Sequence, residues 1–403
     1  MKKIISLLLI ILVLLTSTGC WDYTEFEQFS LVIVSCIDYD KDKKETTVTF
    51  QQLKASSGNK GGSSNSKSSA AGQSIICSGT GDTFIDAVNK AYEKLSGRGF
   101  YGYCQDVIIG EDAAKYIMKD IFKYFQHTPN LPLTANLYIT NGKAEDILKS
   151  NEILQSTITK NNISEKSSNA AITGITADTR IIDVLSNSSI AGVEPVVARI
   201  INKNKKNTNL LDKDAKINEL IKVSGISVFK GYKYIGDLNK KESKGFRYIT
   251  DEKVKDYVSA SPKNSESDDK LWYQIKDSKS KIKINLVGED IDSITINIKV
   301  QAELFKNLSY VNNEDIIDLK GKEILEQALN NIIKSDVEAA LSKGQKDLKS
   351  DIFGFGYAMY KDHPYLWKKE YINKWDEIYP NLKVNINISS KVINTGNYLE
   401  NDS

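Results

Sequence analysis

Ile294–Leu304, with the sequence Ile-Thr-Ile-Asn-Ile-Lys-Val-Gln-Ala-Glu-Leu, alternates apolar and polar side chains without a break. Successive side chains of a β-strand point to opposite faces, so this segment predicts a strand with one buried and one wet face. The pattern recurs in Ile282–Leu286 and Val384–Ile388. We therefore predict a largely antiparallel sheet in a C-terminal domain over residues 263–403.

A long helix is predicted across that sheet, from Gly321 to Ser350, because apolar residues recur there at helical spacing. The predicted apolar stripe consists of Ile324, Leu325, Ala328, Leu329, Ile332, Ile333, Val337, Ala340 and Leu341. Beyond it, Pro364 stands where a helix begins, and Trp367, Tyr371 and Trp375 then share one helix face. We predict that Trp367 is a core anchor, whereas Trp375 is either a core residue or a partner contact.

The N-terminal part alternates strand and helix patterns, which predicts an α/β domain over residues 20–149. The continuously apolar Leu31–Ile37 predicts a strand in the centre of its sheet. Further strands are predicted at 46–53, 73–78, 106–109 and 134–140, and helices at 83–96 behind an Asp82 cap, at 112–125 and from 143. Residues 56–72 are almost wholly Ser, Gly, Asn, Lys and Ala, which predicts a disordered insert.

A middle domain is predicted over residues 150–262. It contains a strand at Val193–Ile201, a hairpin of Ile221–Phe229 with Lys233–Gly236, and a helix at Lys240–Ile249. The polar segment Ser259–Asp269 is the predicted boundary to the C-terminal domain. The predicted fold class is therefore α+β, with three domains that each pack a sheet against helices.

The first twenty residues predict export and lipid attachment. Lys2 and Lys3 precede the apolar run Ile4–Leu15, which is shorter than the about 20 residues of a spanning helix. Small residues then lead to Cys20, so residues 1–19 are predicted to be a lipoprotein signal peptide. The thiol of Cys20 would take up a diacylglyceryl group and attach the chain to a membrane. The alternative is a plain secreted protein with a chance cysteine.

Composition and motifs give no sign of catalysis. The chain has 54 Lys and Arg against 52 Asp and Glu, and Lys2 and Lys3 account for the difference, so no nucleic-acid partner is predicted. Gly97–Gly102 matches G-x-G-x-x-G, but a predicted helix precedes it and a strand follows it, which is the reverse of the nucleotide-binding order. The sequence has no P-loop, H-E-x-x-H or G-x-S-x-G motif. We predict a non-enzymatic protein without catalytic, cofactor-binding or metal-binding residues.

The remaining cysteines and the histidines support that prediction. Cys36, Cys77 and Cys104 are an odd number, so at most one disulfide is possible among them, and Cys36 lies in an apolar run typical of a buried residue. His127 and His363 lie in Pro-flanked segments and are predicted loop residues near helix ends. The wide spacings do not fit a zinc site.

Several stretches together resemble the Ger(x)C family, the lipoprotein C subunits of bacterial spore germinant receptors. The first stretch is Gly19–Asp22 followed by the strand Leu31–Asp40, near whose end stands Ile37-Asp38, and the second is Gly79–Gly110, which contains Thr83–Ala87 and Val107–Gly110. The third runs from Ile226–Lys230 through Ile235–Asn239, with Gly245 after it. The fourth consists of Gln345, Asp351–Gly356, Pro364–Trp367, Trp375 and Val384–Gly396. This sequence departs from the family at Ser17 in the lipobox, in the insert, in the extra cysteines and at Asp237, where the family usually has an aromatic residue.

The resemblance implies a non-enzymatic, lipid-anchored receptor subunit that is required for nutrient-triggered spore germination. Its implied partners are the A and B membrane subunits of the receptor, and its implied location is the outer face of the spore inner membrane. The alternative is a substrate-binding lipoprotein of a transporter, which would share the lipid anchor, the length and α/β domains around a ligand cleft.

Overall fold

The computed structural model describes residues 4–5, 28–54, 74–128, 131–155, 163–202, 221–250, 254–260, 271–305 and 319–394. Cys20, the insert at 56–72 and nearly all of the signal peptide and of the 259–269 boundary lie outside the described residues. Within the described part the strands form two sheets, one of nine strands and one of four. Helices pack against both, so the fold is α+β.

The first sheet is built around β1, as the apolar run predicts. Its strands are β1 (Phe29–Asp40), β2 (Glu45–Lys54), β3 (Ser74–Gly81), β4 (Arg98–Phe100), β5 (Asp106–Gly110), β6 (Asn136–Thr140), β7 (Val196–Asn202), β8 (Ile221–Lys230) and β9 (Lys233–Leu238). Their order is β3-β2-β1-β5-β6-β7-β8-β9, with β4 paired to β1. The pairs β1–β4, β1–β5, β5–β6 and β6–β7 are parallel, whereas β1–β2, β2–β3, β7–β8 and β8–β9 are antiparallel.

Helices cover both faces of this sheet. They are α1 (Phe84–Tyr92), α2 (Glu111–Tyr116), α3 (Met118–His127), α4 (Ala144–Gln155), α5 (Ile163–Ile172) and α6 (Ile181–Ser189). Residues of α1, α2, α3 and α6 share one core cluster with the sheet, and residues of α4 and α5 share another. The predicted Asp82 cap is wrong, because Thr83 is the N-cap and its Oγ1 accepts from Asp86 N–H at 3.2 Å. The helix predicted at 112–125 is two helices that meet at Ile117.

In its described residues, the predicted middle domain forms no separate sheet. Strand β7 pairs in parallel with β6, with Tyr138 opposite Ala198, and the predicted hairpin of β8 and β9 continues the same sheet beyond β7. The strands were identified correctly, but their pairing partners lie in the preceding part of the chain. The predicted helix is confirmed at Lys240–Ile249, here α7.

The second sheet contains β10 (Tyr257–Ala260), β11 (Leu271–Val287), β12 (Asp290–Phe305) and β13 (Val384–Asn394), in that order. The alternation in β12 is confirmed, because Ile294, Ile296, Ile298, Val300, Ala302 and Leu304 are all buried. β10, β11 and β12 pair antiparallel, but β13 runs parallel to β12. The sheet is therefore mixed at its β13 edge.

The long helix is α8 (Leu319–Leu341), which continues through a π-helical segment, Ser342–Asp347, and therefore stops short of the predicted Ser350. Most of its predicted stripe is buried, but Ile324 is half exposed. Helix α8 packs in one core cluster with the second sheet, and this cluster also includes Ile226, Val228 and Leu238 from the first sheet. The two sheets therefore share a hydrophobic core.

Deletion of Ser57–Gly72 is expected to leave the melting temperature nearly unchanged. Strands β2 and β3 are antiparallel neighbours with Leu53 opposite Ser74, so three residues would remain to join their ends. Such a loop length is common in hairpins. Loop-closure entropy changes by only about 0.6 kcal/mol per doubling of length. Thermal unfolding of the full-length and shortened chains tests this, and a large fall in melting temperature would show that the segment contributes packing.

Candidate functional site: the Asp351 junction

The loop that enters β7 meets the segment that follows α8 at a buried junction between the two sheets. We call it the Asp351 junction and define it by Gly192, Asp351, Gly356, Trp367 and Trp375. These residues come from distant parts of the chain, and four of them belong to the motifs that carry the family resemblance. The main-chain N–H of Glu194 donates to the carbonyl of Asp351 at 2.9 Å, and this bond fixes the loop before β7 to the segment that follows α8.

Asp351 serves as the N-terminal cap of α9 (Phe355–Asp362), whose own N-cap residue, Gly354, has no side chain to offer. Asp351 Oδ1 accepts from Phe355 N–H at 3.0 Å, and Oδ2 accepts from Gly356 N–H at 2.7 Å. The next N–H of the helix, at Tyr357, donates to the Gly192 carbonyl at 2.8 Å. The first N–H groups of a helix lack partners within the helix, and here the nearby Asp351 and the distant Gly192 accept their hydrogen bonds.

Asp351 Oδ2 also accepts from the indole Nε1 of Trp375 at 2.9 Å. Both carboxylate oxygens are thus engaged, and the residue is only 3% exposed. Burial raises the pKa of Asp351 to about 7, although the donated hydrogen bonds from Gly356, Phe355 and Trp375 act in the opposite direction. The junction therefore holds a buried carboxyl group that titrates near neutral pH.

Two glycines allow the close approach of the loop and the helix. A Cβ on Gly356 would lie 2.7 Å from the Cα of Gly192 and 2.8 Å from ring atoms of both Trp367 and Trp375. Gly192 has a φ of +85°, in the left-handed region that favours glycine. Any side chain at either position would separate the two main chains.

Trp367, Tyr371 and Trp375 are all buried, but they do not share a face of one helix as predicted, because Trp367–Tyr371 is a π-helical segment and a turn over 372–374 separates it from Trp375. Trp367 follows α10 (Pro364–Leu366) and is 1% exposed, which confirms its prediction as a core anchor. Trp375 begins α11 (Trp375–Ile378), and its ring centroid lies 5.2 Å from that of Trp367 in an edge-to-face arrangement. Trp375 is 6% exposed, so little of its ring is available for a contact with another protein. Its role as a partner contact stays a prediction.

Two polar side chains tie the surrounding segments to the junction. Gln345 Nε2, in the π-helical segment, donates to the carbonyls of Tyr379 at 2.9 Å and Leu382 at 2.8 Å. Ser350 Oγ donates to the carbonyl of Phe229 in β8 at 2.7 Å. Both side chains are buried, so these bonds satisfy main-chain carbonyl groups and join the segment after α8 to β8 and to the loop before β13.

A cavity of about 210 Å³ adjoins the junction. Glu194, Asp351, Trp367, Trp375, Asp376 and Tyr379 are among its lining residues. Burial raises the pKa of Glu194, whose Oε2 accepts from Gly231 N–H at 2.6 Å. The cavity is smaller than the about 300–1,000 Å³ typical of drug-sized ligand sites. It does not have the dimensions expected of a large substrate cleft.

Two further carboxylates, both on strands of the first sheet, also have structural partners. Asp38, in the Ile37-Asp38 motif, accepts from Ala144 N–H at 2.6 Å and from Glu145 N–H at 3.0 Å, and so caps α4. Asp237 forms an ion pair with Arg199 and accepts from the hydroxyl of Tyr234 at 2.7 Å. Asp237 is therefore held by polar contacts with side chains of the first sheet.

The histidines and the cysteines among the described residues occupy helix ends and buried positions. His127 ends α3 and His363 is the C-cap of α9, so both lie at helix ends as predicted. Cys36, Cys77 and Cys104 are buried free thiols, and burial raises the pKa of Cys36 well above its usual value. No cluster of three or more His, Cys, Asp or Glu residues in the described ranges could hold a metal.

The junction was only partly visible in the sequence. Asp351, Gly356, Trp367 and Trp375 stand in the quoted motifs, but Gly192 and Glu194 were not singled out. The signal for the cap is the aspartate that precedes two Phe-Gly pairs in Asp351–Gly356. The contact with Gly192 has no local signal, because more than a hundred and fifty residues separate it from Gly356.

Asp351→Asn is expected to change the pH dependence of stability. The pKa of Asp351 is about 7 in the folded state, against an ordinary value of 3.8 that applies to the unfolded chain. Between these two pH values the folded protein keeps a proton that the unfolded chain releases. The free energy of unfolding then falls as pH rises through that range. The advantage of the wild type over Asp351→Asn should shrink by roughly 1 kcal/mol between about pH 6 and pH 8. Urea unfolding at both pH values measures it.

The exposed Asp347→Asn is the matched control, since it removes a carboxylate from the adjacent π-helical segment and should retain the pH dependence of the wild type. An equal advantage of the wild type over Asp351→Asn at both pH values would contradict the raised pKa.

The fold and the junction define the class of protein. It is an α+β protein with two sheets, whose best-organised buried site, the Asp351 junction, joins the loop before β7 to the segment after α8. Two family models match the chain. One, described as spore germination protein N-terminal domain, matches residues 22–201, and the other, described as spore germination B3/GerAC like, C-terminal, matches residues 224–396. The chain belongs to the Ger(x)C family of spore germination proteins.

Similar proteins span nearly the whole chain. Spore germination protein YndF of Bacillus subtilis (strain 168) is 24% identical, over 98% of this chain and 97% of that protein. Spore germination protein KC of the same organism is also 24% identical, over 98% of this chain and 96% of that protein. The crystal structure of the GerBC protein has the same fold, with a TM-score of 0.55 and 18% identity over 89% of this chain and 97% of that one.

The two matched regions meet between β7 and β8, yet these strands pair with each other, with Val196 opposite Val228. The C-terminal region therefore contributes two strands to the sheet of the N-terminal region. Together with the Asp351 junction, this pairing interlocks the two family regions.

Proposed function

We propose that this protein is the lipid-anchored, non-enzymatic C subunit of a spore germinant receptor, and that it acts by association with the A and B membrane subunits. The observation that carries the proposal is the match to germination family models along residues 22–201 and 224–396. The relative KC, matched over almost its full length, is by its name a spore germination protein.

A non-enzymatic role is supported by how the best-organised buried groups are used. The carboxylate of Asp351 accepts hydrogen bonds on both oxygens from the protein itself. Asp38 is likewise occupied as a helix cap. Groups held in this way stabilise the fold, which suits a subunit that presents a fixed surface to its partners.

The membrane attachment rests on Cys20. Among the described residues no helix has both the length and the apolar character needed to cross a membrane. The Gly19-Cys20 sequence after an apolar run is the pattern of a lipoprotein. A diacylglyceryl group adds two acyl chains, and two chains give stable anchoring where one gives marginal binding.

Cys20→Ala is expected to move the protein from the membrane fraction to the soluble fraction. The protein should be produced without the A and B subunits, because these could retain it, and the membranes should be washed at high salt. Ser17→Ala keeps the thiol and is the matched control that should stay with the membrane. If Cys20→Ala remained membrane-bound under these conditions, the proposed lipid anchor would be wrong.

Receptor function is tested in spores that lack the gene for this chain. Such spores are expected to lose the response to the nutrient that their receptor detects, and the wild-type gene should restore it. Retention of every nutrient response in the deletion strain, with other receptor genes also removed, would contradict the proposal. The alternative of a transporter-binding protein has no support from the family match, and the 210 Å³ cavity at the junction is small for it.

A further inference from the structure

An aromatic cluster lies at the surface where the described chain enters the first sheet. Strand β4 pairs with the first residues of β1, with Arg98 opposite Phe29. The ring of Phe100 lies 5.6 Å from Phe29 and 5.8 Å from Tyr103, measured between centroids. Phe100 is 37% and Tyr103 is 54% exposed, and Arg98 is also exposed. We call Phe29, Arg98, Phe100 and Tyr103 the aromatic end.

The aromatic end is the part of the first sheet closest along the chain to Cys20. Phe29 follows Cys20 by nine residues, which can span at most about 30 Å at 3.3–3.6 Å per residue. Strand β1 then runs from Phe29 to Asp40, and at about 3.3 Å per residue its far end lies roughly 36 Å away. A lipid on Cys20 would therefore hold the aromatic end within reach of the bilayer.

The side chains at this end match the chemistry of a bilayer interface. Aromatic rings with a polar edge, such as tyrosine, are enriched at the headgroup level. An exposed arginine there can interact with anionic lipid headgroups. A tether this short also keeps the local concentration of the membrane high, so that a small patch can contact it repeatedly.

We propose that the aromatic end inserts into the headgroup region of the membrane, so that the anchored protein has a fixed orientation. This inference rests on the proposed lipid attachment at Cys20. In this orientation β1 runs away from the membrane, and the turn that follows Asp40 and joins β1 to β2 lies on the side away from the bilayer. The partner that the aromatic end binds is thus the lipid surface itself.

Two exposed tyrosines at opposite ends of β1 provide a matched pair for the test. Tyr103 belongs to the aromatic end, whereas Tyr116, which is 59% exposed, lies 5.8 Å from Tyr39 near the far end of β1. Both can be replaced by cysteine without removing a buried side chain. The native Cys36, Cys77 and Cys104 are buried, and the unsubstituted protein reports any labelling of them.

The experiment uses the full, lipid-modified chain in vesicles of phosphatidylcholine and phosphatidylglycerol, without the A and B subunits. Tyr103→Cys and Tyr116→Cys each carry an environment-sensitive fluorophore, and some of the lipids carry a nitroxide quencher. We expect a blue-shifted emission and strong quenching for the label at position 103. The label at position 116 should show neither.

Flotation of the vesicles separates the failure of this inference from the failure of the anchor. Protein that does not float overturns the lipid attachment. Protein that floats but shows equal, water-like emission at both positions overturns the inference and leaves the anchor intact. A label at position 103 that is shielded only in native membranes containing the A and B subunits also overturns it, because the occupant would then be a protein.

Discussion

Trp367→Ala is expected to lower the free energy of unfolding by about 3–5 kcal/mol, the cost of truncating a large buried aromatic side chain. Trp367 is 1% exposed and contacts the ring of Trp375 at the Asp351 junction. Its ring also lies against Gly356, so its loss would leave a cavity where helix and loop meet. Urea unfolding of the full-length protein measures the change.

Tyr365→Ala is the matched control, because Tyr365 stands two residues earlier and is 75% exposed. Its unfolding curve should be indistinguishable from that of the wild type. If Trp367→Ala unfolded at the same urea concentration as this control, Trp367 would not be a core anchor.

Gly245→Ala is expected to destabilise the protein by about 3 kcal/mol, at the upper end of what overpacking costs. A Cβ at position 245 in α7 would lie 2.0 Å from the carbonyl oxygen of Asp336 and 2.8 Å from the Cβ of Ala340 in α8. Because the nearest atom belongs to the main chain, the two helices would have to separate. The buried side chains of α8 would then lose contacts with α7.

The sign of this effect is informative, since Gly→Ala inside a helix normally increases stability by about 1 kcal/mol. Lys240→Ala, at the exposed start of the same helix, is the control and should leave stability nearly unchanged. A stability of Gly245→Ala equal to or above that of the wild type would show that α7 and α8 do not pack as closely as described.

Individual elements could be predicted where one residue pattern determines them. Strand β12 has a strict period of two and one buried face, and α7 has Asn239 as its N-cap, in a capping box that Glu242 completes. Both were predicted correctly because their signals are local. The stripe of α8 was also correct except at its start, where Ile324 is exposed.

Pairing between distant strands could not be predicted in the same way. The residues of β7 would look the same whether the strand began a new sheet or paired with β6. The prediction of a separate sheet in the middle domain was wrong for this reason, since β7 pairs with β6. The parallel pairing of β13 with β12 was missed for the same reason. At the Asp351 junction, the motif residues were noted, but their contact with Gly192 depends on the arrangement of the two sheets.

The most direct test of the proposed function is to identify the proteins next to this chain in the spore. An affinity-tagged, functional copy is crosslinked in intact spore inner membranes and purified, and the attached proteins are identified by mass spectrometry. Cys20→Ala serves as the parallel sample that should lose membrane neighbours. The proposal predicts recovery of the A and B subunits of one germinant receptor. Recovery of transporter membrane subunits in their place would contradict it.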